Sequence, residues 1–232
     1  EGTPPVPIDD VFLLNEGDAI VVNDQLSVLG NDQDVDADNI RVFDFDSTSA
    51  MGAEVFVQTA GWATPGSPAL SDLGWFDYLT EPIDPITLLP TPVPAIDVLK
   101  QGEQAFDTFT YSLIEDNQAP NGYAFQSLEP GIVTIALTGV NDAPVTTAVT
   151  IDVQEDGPTV TAPFGATDVD NDAVLTYTIT NTASLVDING LSGTVTVDNA
   201  TGQFTFDPGG AYQIIGLNDQ QTYSFDYEVA DE

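Results

Sequence analysis

Gly193-Thr194-Val195-Thr196-Val197-Asp198 runs through Asn199-Ala200-Thr201-Gly202 into Gln203-Phe204-Thr205-Phe206-Asp207-Pro208. On an extended chain Val195 and Val197 share one side, as do Phe204 and Phe206, with threonines opposite. Turn-forming residues separate the two runs, so the stretch reads as strand, turn, strand. The same period of two recurs in both directions. Val133, Ile135 and Leu137 alternate with Thr134, Ala136 and Thr138. Leu175, Tyr177 and Ile179 alternate with threonines, and Tyr223, Phe225, Tyr227 and Val229 form another alternating run. No long amphipathic helix is legible; residues 95–101 and 211–217 suit single helical turns at most. Short half-buried strands punctuated by turn signals predict an all-β protein built as a sandwich or barrel.

The chain repeats itself. Phe12 to Asn15 precedes Glu16-Gly17, and Val149 to Val153 precedes Glu155-Asp156-Gly157. Each leads to an acidic cluster: Asp34, Asp36 and Asp38 in the first half, Asp168, Asp170 and Asp172 in the second. Later, Phe109-Thr110-Tyr111-Ser112-Leu113-Ile114-Glu115-Asp116 corresponds to Phe225-Asp226-Tyr227-Glu228-Val229-Ala230-Asp231-Glu232. The expected organisation is two tandem domains, 1–142 and 143–232, joined near Val140-Asn141-Asp142-Ala143-Pro144. An insertion at about 58–100 sets the first repeat apart, with seven of the sixteen prolines and both tryptophans, Trp62 and Trp75. The second repeat has no counterpart of Gly131 to Gly139, its last strand. Either that reflects a cut or a disordered tail, or a strand arrives from another chain, as in strand-complemented filaments.

Composition narrows the function. Of 232 residues, 38 are Asp or Glu, and Arg41 and Lys100 are the two cations, for a formal charge of −36. Two cations cannot build a basic patch, which excludes nucleic acid as a partner. The 42% hydrophobic content and twelve Phe support true cores, so this is no disordered acidic tail. Cysteine and histidine are both absent, which removes disulfides, thiolate zinc sites and His-based triads. No stretch approaches a membrane span. The opening Glu1-Gly2-Thr3-Pro4-Pro5 reads as a linker, without a basic-then-apolar signal segment.

Self-repulsion on this scale calls for counter-ions. Alternate carboxylates of an extended Asp-x-Asp-x-Asp segment point to one side and suit a hard cation. An EF-hand is excluded by count: from Asp34, position six is Asn39 and position twelve Phe45; from Asp168 they are Ala173 and Ile179. The glycine-rich nonapeptide of calcium-binding β-rolls is absent as well. A composite site remains. Each cluster needs further oxygens from Glu16 or Glu155, from Glu115-Asp116 or Asp231-Glu232, and from Asn141-Asp142. Calcium, with six to eight oxygen ligands, fits better than magnesium, which usually keeps more of its waters.

Several of these stretches resemble a family. Val28-Leu29-Gly30-Asn31-Asp32 followed by Asp34-Val35-Asp36 resembles the opening of bacterial cadherin-like repeats, and Leu137 to Pro144 looks like their repeat-ending signature. Gly193 to Pro208 resembles the VCBS variant, and Ile96 to Glu103 leading to Asp107-Thr108-Phe109-Thr110-Tyr111 is similar to its late portion. The resemblance covers nearly all the chain except about 58–90. It implies tandem immunoglobulin/cadherin-like Greek-key β-sandwiches from large, RTX-adhesin-like proteins secreted to the bacterial cell surface. It also implies Ca2+ at the joints, held by Asn141-Asp142, by the Asp34/Asp36 and Asp168/Asp170 motifs, and by Glu16 and Glu155. The second repeat departs by having Ala166-Thr167 where the first has Asn31-Asp32.

The expected function is a non-catalytic, calcium-stiffened extracellular spacer of an adhesin or surface fibre, whose partners are neighbouring repeats or identical subunits. Three rivals stand beside it. The chain as a filament or surface-layer subunit is completed by a strand in trans. The 58–100 segment, with Trp62, Trp75, Phe76 and Tyr78, stacks on cell-surface or matrix glycans. The acidity is plain salt adaptation without a specific ion. Paired carboxylates suited to glycoside hydrolysis are expected by chance among 38 acids, and no nucleophile motif or phosphate loop accompanies them.

Overall fold

The computed structural model describes residues 3–21, 26–59, 74–115 and 124–231. Trp62 and Asp116 lie outside these. The chain divides into two compact units, Glu1–Asn141 and Asp142–Glu232. Asp142 thus belongs to the second unit rather than to the first, where the sequence reading put it.

The first unit contains β1 (Asp10–Asn15), β2 (Ala19–Ile20), β3 (Ile40–Phe45), β4 (Glu54–Val57), β5 (Phe76–Leu79), β6 (Gln104–Glu115) and β7 (Gly131–Thr138). One sheet runs β1-β7-β6-β3 and the other β2-β5-β4. Successive strands cross between sheets, apart from the β4-β5 and β6-β7 hairpin pairs, which is a Greek-key sandwich. β1 lies parallel to β7, with Phe12 opposite Ile135, while β6 runs antiparallel to β7, with Asp107 opposite Ile135.

Alternation explains the core. Phe109, Tyr111 and Leu113 of β6 point inward, as do Val133, Ile135 and Leu137 of β7, and all are buried. They meet Val55, Val57, Phe76 and Tyr78 of the opposite sheet. Phe76 sits between Phe12 and Phe109, with ring centroids 4.9 and 5.6 Å away. The 58–100 stretch is therefore not one excursion: it contains β5, a central strand of its sheet. Phe76 and Tyr78 are fully buried and cannot stack on a sugar. Gly139, just past β7, is required by packing, because a Cβ there would collide with the carbonyl oxygens of Leu99 and Lys100.

The second unit repeats part of this plan. It contains β8 (Val145–Thr146), β9 (Val160–Pro163), β10 (Ala166–Thr167), β11 (Thr176–Asn181), β12 (Thr194–Asp198), β13 (Gln203–Asp207) and β14 (Asp226–Ala230). The β12-β13-β9 sheet corresponds to β4-β5-β2, and the β11-β14 pair to β3-β6. A single 3-10 turn at Ala183–Leu185 has no sequence signal that the period-two reading would register. The cores are smaller, centred on Phe164, Tyr177 and Phe204 and on Leu185, Phe206 and Tyr212. The alternating runs 149–153 and 223–225, expected as strands, are not in strand pairing. In the first unit the equivalent runs are paired by β7, and among the described residues of the second unit no strand takes that place.

Candidate metal centre

Asp34, Asp38 and Glu115 each offer a carboxylate oxygen within 4.8 Å of the other two. The fold assembles them from distant segments. Glu115 ends β6 and lies opposite Ile40, the first residue of β3, so the loop entering β3 passes beside it. That loop is not extended. Asp34 Oδ1 accepts the N–H groups of Asp36 and Asp38, at 2.9 and 3.1 Å, and Ala37 adopts a left-handed φ of 61°. An Asp side chain that bonds its own following backbone competes with strand formation and curls the chain. The curl changes which acids face together: Asp34 pairs with Asp38, and Asp36 turns away. Asp36 Oδ2 instead accepts from Thr3, from its N–H at 2.7 Å and its hydroxyl at 2.9 Å.

Glu115 is the residue that gives this group its character. It is fully buried, its Oε1 accepts the Phe125 N–H at 3.2 Å, and its Oε2 is buried without a hydrogen-bond partner. Asp34 Oδ2 is in the same condition. Burial raises the Glu115 carboxyl above its ordinary pKa, the Phe125 N–H opposes this, and the charges of Asp34, Asp38 and Asp36 add to the rise. Buried carboxylate oxygens without a hydrogen-bond partner are costly unless a proton or a cation satisfies them.

At the other end of the first unit, Glu16 Oε2 accepts the Val140 N–H at 3.0 Å, and the Asn141 N–H donates to Gln101 Oε1 at 3.3 Å. An oxygen of Asp97 lies within 4.8 Å of one of Glu16. Sequence reasoning assigned Asp97 no role. Its flanks, Ile96 and Leu99, are buried, and that anchoring of an acid between core residues was the available signal.

In the second unit the Asp170 N–H donates to Asp168 Oδ1 at 3.0 Å, and the Asp142 N–H donates to Asp170 Oδ2 at 2.9 Å. Asp168 Oδ2, Asp170 Oδ1 and Glu155 Oε2 are buried without hydrogen-bond partners. Among the described residues, Glu155, Asp168, Asp170 and Asp172 do not enter a close group of three carboxylates. Asp172 takes a left-handed φ of 58° in this turn.

Three further buried acids, Asp10, Asp32 and Asp107, lie outside these groups; the sequence reading noted Asp32 within the first acidic run and gave Asp10 and Asp107 no role. The Tyr111 hydroxyl donates to Asp32 Oδ1 at 2.8 Å and lies 3.3 Å from Asp10 Oδ2. Burial, and for Asp10 the neighbouring Asp32 charge, push both carboxyls up to about 7. Asp107, also buried, is fully engaged: Tyr78 donates its hydroxyl at 2.6 Å and the N–H groups of Met51 and Thr108 donate at 2.8 and 2.7 Å.

No curated protein matches the chain. Among solved structures, the human Desmocollin-1 ectodomain aligns over 100% of this chain and 34% of its own, at 12% identity and a TM-score of 0.45. The chain thus spans about a third of that protein's length. Residues 141–232, the second unit and the residue before it, match the family model of the bacterial Ig domain.

Proposed function

We propose that this chain is a non-catalytic, calcium-stiffened extracellular repeat module of a bacterial adhesin or surface fibre, acting as a spacer in cell adhesion. The observation that carries it is the buried Glu115 carboxylate, which has an unpartnered Oε2 and groups with the carboxylates of Asp34 and Asp38. A hard divalent cation among these oxygens supplies the missing partner and relieves like-charge repulsion. The donors are all oxygen, and the chain holds no His or Cys, which favours calcium over zinc or copper. Carbonyls and water complete the six to eight ligands.

Such an ion ties the loop before β3 to the end of β6, and therefore joins the loop to the sandwich that it leaves. Stiffening follows because the ion adds a tie to the end of β6, beyond the hydrogen bonds that join the loop to residues 3–9. The bacterial Ig match of the second unit supports placing the module in an extracellular array.

Calcium titration by calorimetry, on the chain and on its Glu115→Gln variant, tests this reading. Saturable calcium binding that the variant loses supports it; heat that is unchanged by the substitution, or abolished by moderate sodium chloride, refutes it.

A further inference from the structure

Residues 80–93 form an arm that follows β5. Its base is buried, at Thr80 and Val93, and the Val93 N–H donates to the Thr80 carbonyl at 3.0 Å. Two further bonds close it, from the Thr91 N–H to the Pro82 carbonyl and from the Asp84 N–H to the Leu89 carbonyl, both at 3.0 Å. At the tip, Asp84 Oδ1 accepts the N–H groups of Ile86 and Thr87, at 2.7 and 2.8 Å. The Leu88 N–H donates to the Asp84 carbonyl at 2.9 Å. The arm is thus a closed, internally bonded turn.

Its side chains point the other way. Ile83, Ile86, Leu88 and Leu89 are 56, 89, 73 and 64% exposed. Leu88 holds a φ of 58°, a region that a bulky residue enters at a cost and that Gly or Asn enters easily. A Leu kept at that position indicates a use for its side chain outside the fold. Residues 85–96 carry no charge, in a chain whose net charge is −36.

The chemistry of the tip selects its partner. The N–H groups of Ile86, Thr87 and Leu88 are bonded within the turn, and Pro85 and Pro90 have none, so the tip offers no edge for strand addition. Residues 80–96 hold no aromatic ring to stack on a sugar. A hydrocarbon phase admits aliphatic side chains without a matching shape and penalises unbonded backbone, which this turn keeps to a minimum. Glu81 and Asp84 stand at the neck of the arm. They repel an anionic surface and complement the outward-facing choline cation of a zwitterionic headgroup.

We propose that this arm docks on a bilayer of phosphatidylcholine, with Ile86, Leu88 and Leu89 entering the acyl margin and Glu81 and Asp84 staying among the cholines. This adds a lipid contact to the spacer reading and does not use the Glu115 ion.

The test is flotation of the full chain with phosphatidylcholine vesicles, in calcium and in chelator, so that its outcome is separate from that of the Glu115 site. Saturable binding is expected in both. Ile86→Asp and Leu89→Asp should each weaken it at least about tenfold, as the transfer of one aliphatic side chain requires, with the melting temperature unchanged. Leu88→Asn should weaken binding while melting no lower, because Asn accepts the left-handed φ; a Leu needed only for the fold would show the reverse. Thr87→Cys gives the chain its single cysteine, and an environment-sensitive dye attached there should shift to the blue when vesicles are added. Phosphatidylserine in the vesicles should weaken binding in chelator at low salt. Absence of binding to phosphatidylcholine, or binding that the tip variants leave unchanged, overturns the proposal. So does stronger binding to phosphatidylserine vesicles in chelator. Self-association without lipid that Ile86→Asp abolishes would assign the tip to a second copy and overturn it as well.

Discussion

The backbone N–H of Asp142 donates to Oδ2 of Asp170 at 2.9 Å, fastening the start of the second unit to its acidic turn. The first unit makes the same fastening with different residues, from the Thr3 N–H to Asp36 Oδ2 at 2.7 Å. In each case the middle acid of the Asp-x-Asp-x-Asp run serves the incoming chain. In the first unit this leaves Asp34 and Asp38 for Glu115. The acids of the motif therefore divide between two tasks, which mutation should separate.

Asp38→Ala should weaken calcium binding at least tenfold with little effect on the entry segment. Asp36→Ala should leave that calcium affinity within a few-fold and release Thr3, at a cost of about 1–3 kcal/mol for the lost charged hydrogen bonds. Calcium titration and amide exchange near residue 3 measure the two effects separately. Equal loss of calcium affinity in both variants would contradict the division.

Chelation should lower the melting temperature of the first unit. An ion bound only by the folded state contributes roughly 2.7 kcal/mol at a hundredfold excess over its dissociation constant. Glu115→Gln should melt at a temperature insensitive to chelator. Calorimetry of both proteins, with and without calcium, reads this directly.

In chelator, the first unit should become more stable as the pH falls from 8 toward 5. Asp10 and Asp32 have folded pKa values raised from 3.8 to about 7, so the folded state holds more protons than the unfolded state between those values. Their contribution is fully present below about 3.8 and is lost as the pH rises through about 7. Asp32→Asn removes one of the two buried charges, so it should raise the melting temperature at pH 8 and flatten the pH dependence. A melting temperature that rises with pH across this window would sink the account.

Ile135→Ala, in the middle of β7 with no exposed surface, should destabilise the first unit by about 2–5 kcal/mol. Val229→Ala should cost clearly less, because Val229 is only half-buried beside the open edge of β14. Denaturant unfolding of each variant gives the comparison, and similar losses would show that the second core is closed as tightly around Val229 as the first is around Ile135.

The period of two in Val133, Ile135, Leu137, Val195, Val197, Phe204 and Phe206 determined strands, inward faces and an all-β class, because alternation on a pleated chain is a local property. The repeat of Glu16 and Tyr111 as Glu155 and Tyr227 likewise made the matching strand plan legible without coordinates. Period alone could not show that β5 lies inside the 58–100 stretch, since proline-rich flanks hide a four-residue strand whose Phe76 and Tyr78 are buried only by the opposite sheet. Nor could it show that 149–153 and 223–225 stay unpaired, because pairing depends on a neighbour and not on the run itself. The acids divide in the same way. Their clustering along the chain was visible, and so was the need for oxygens from elsewhere. Only the tertiary structure decided that Asp34 and Asp38 meet Glu115 while Asp36 holds Thr3. A side chain that bonds its own backbone reverses the alternation that an extended chain would impose, and the partner it leaves exposed is set by the strand that ends beside it.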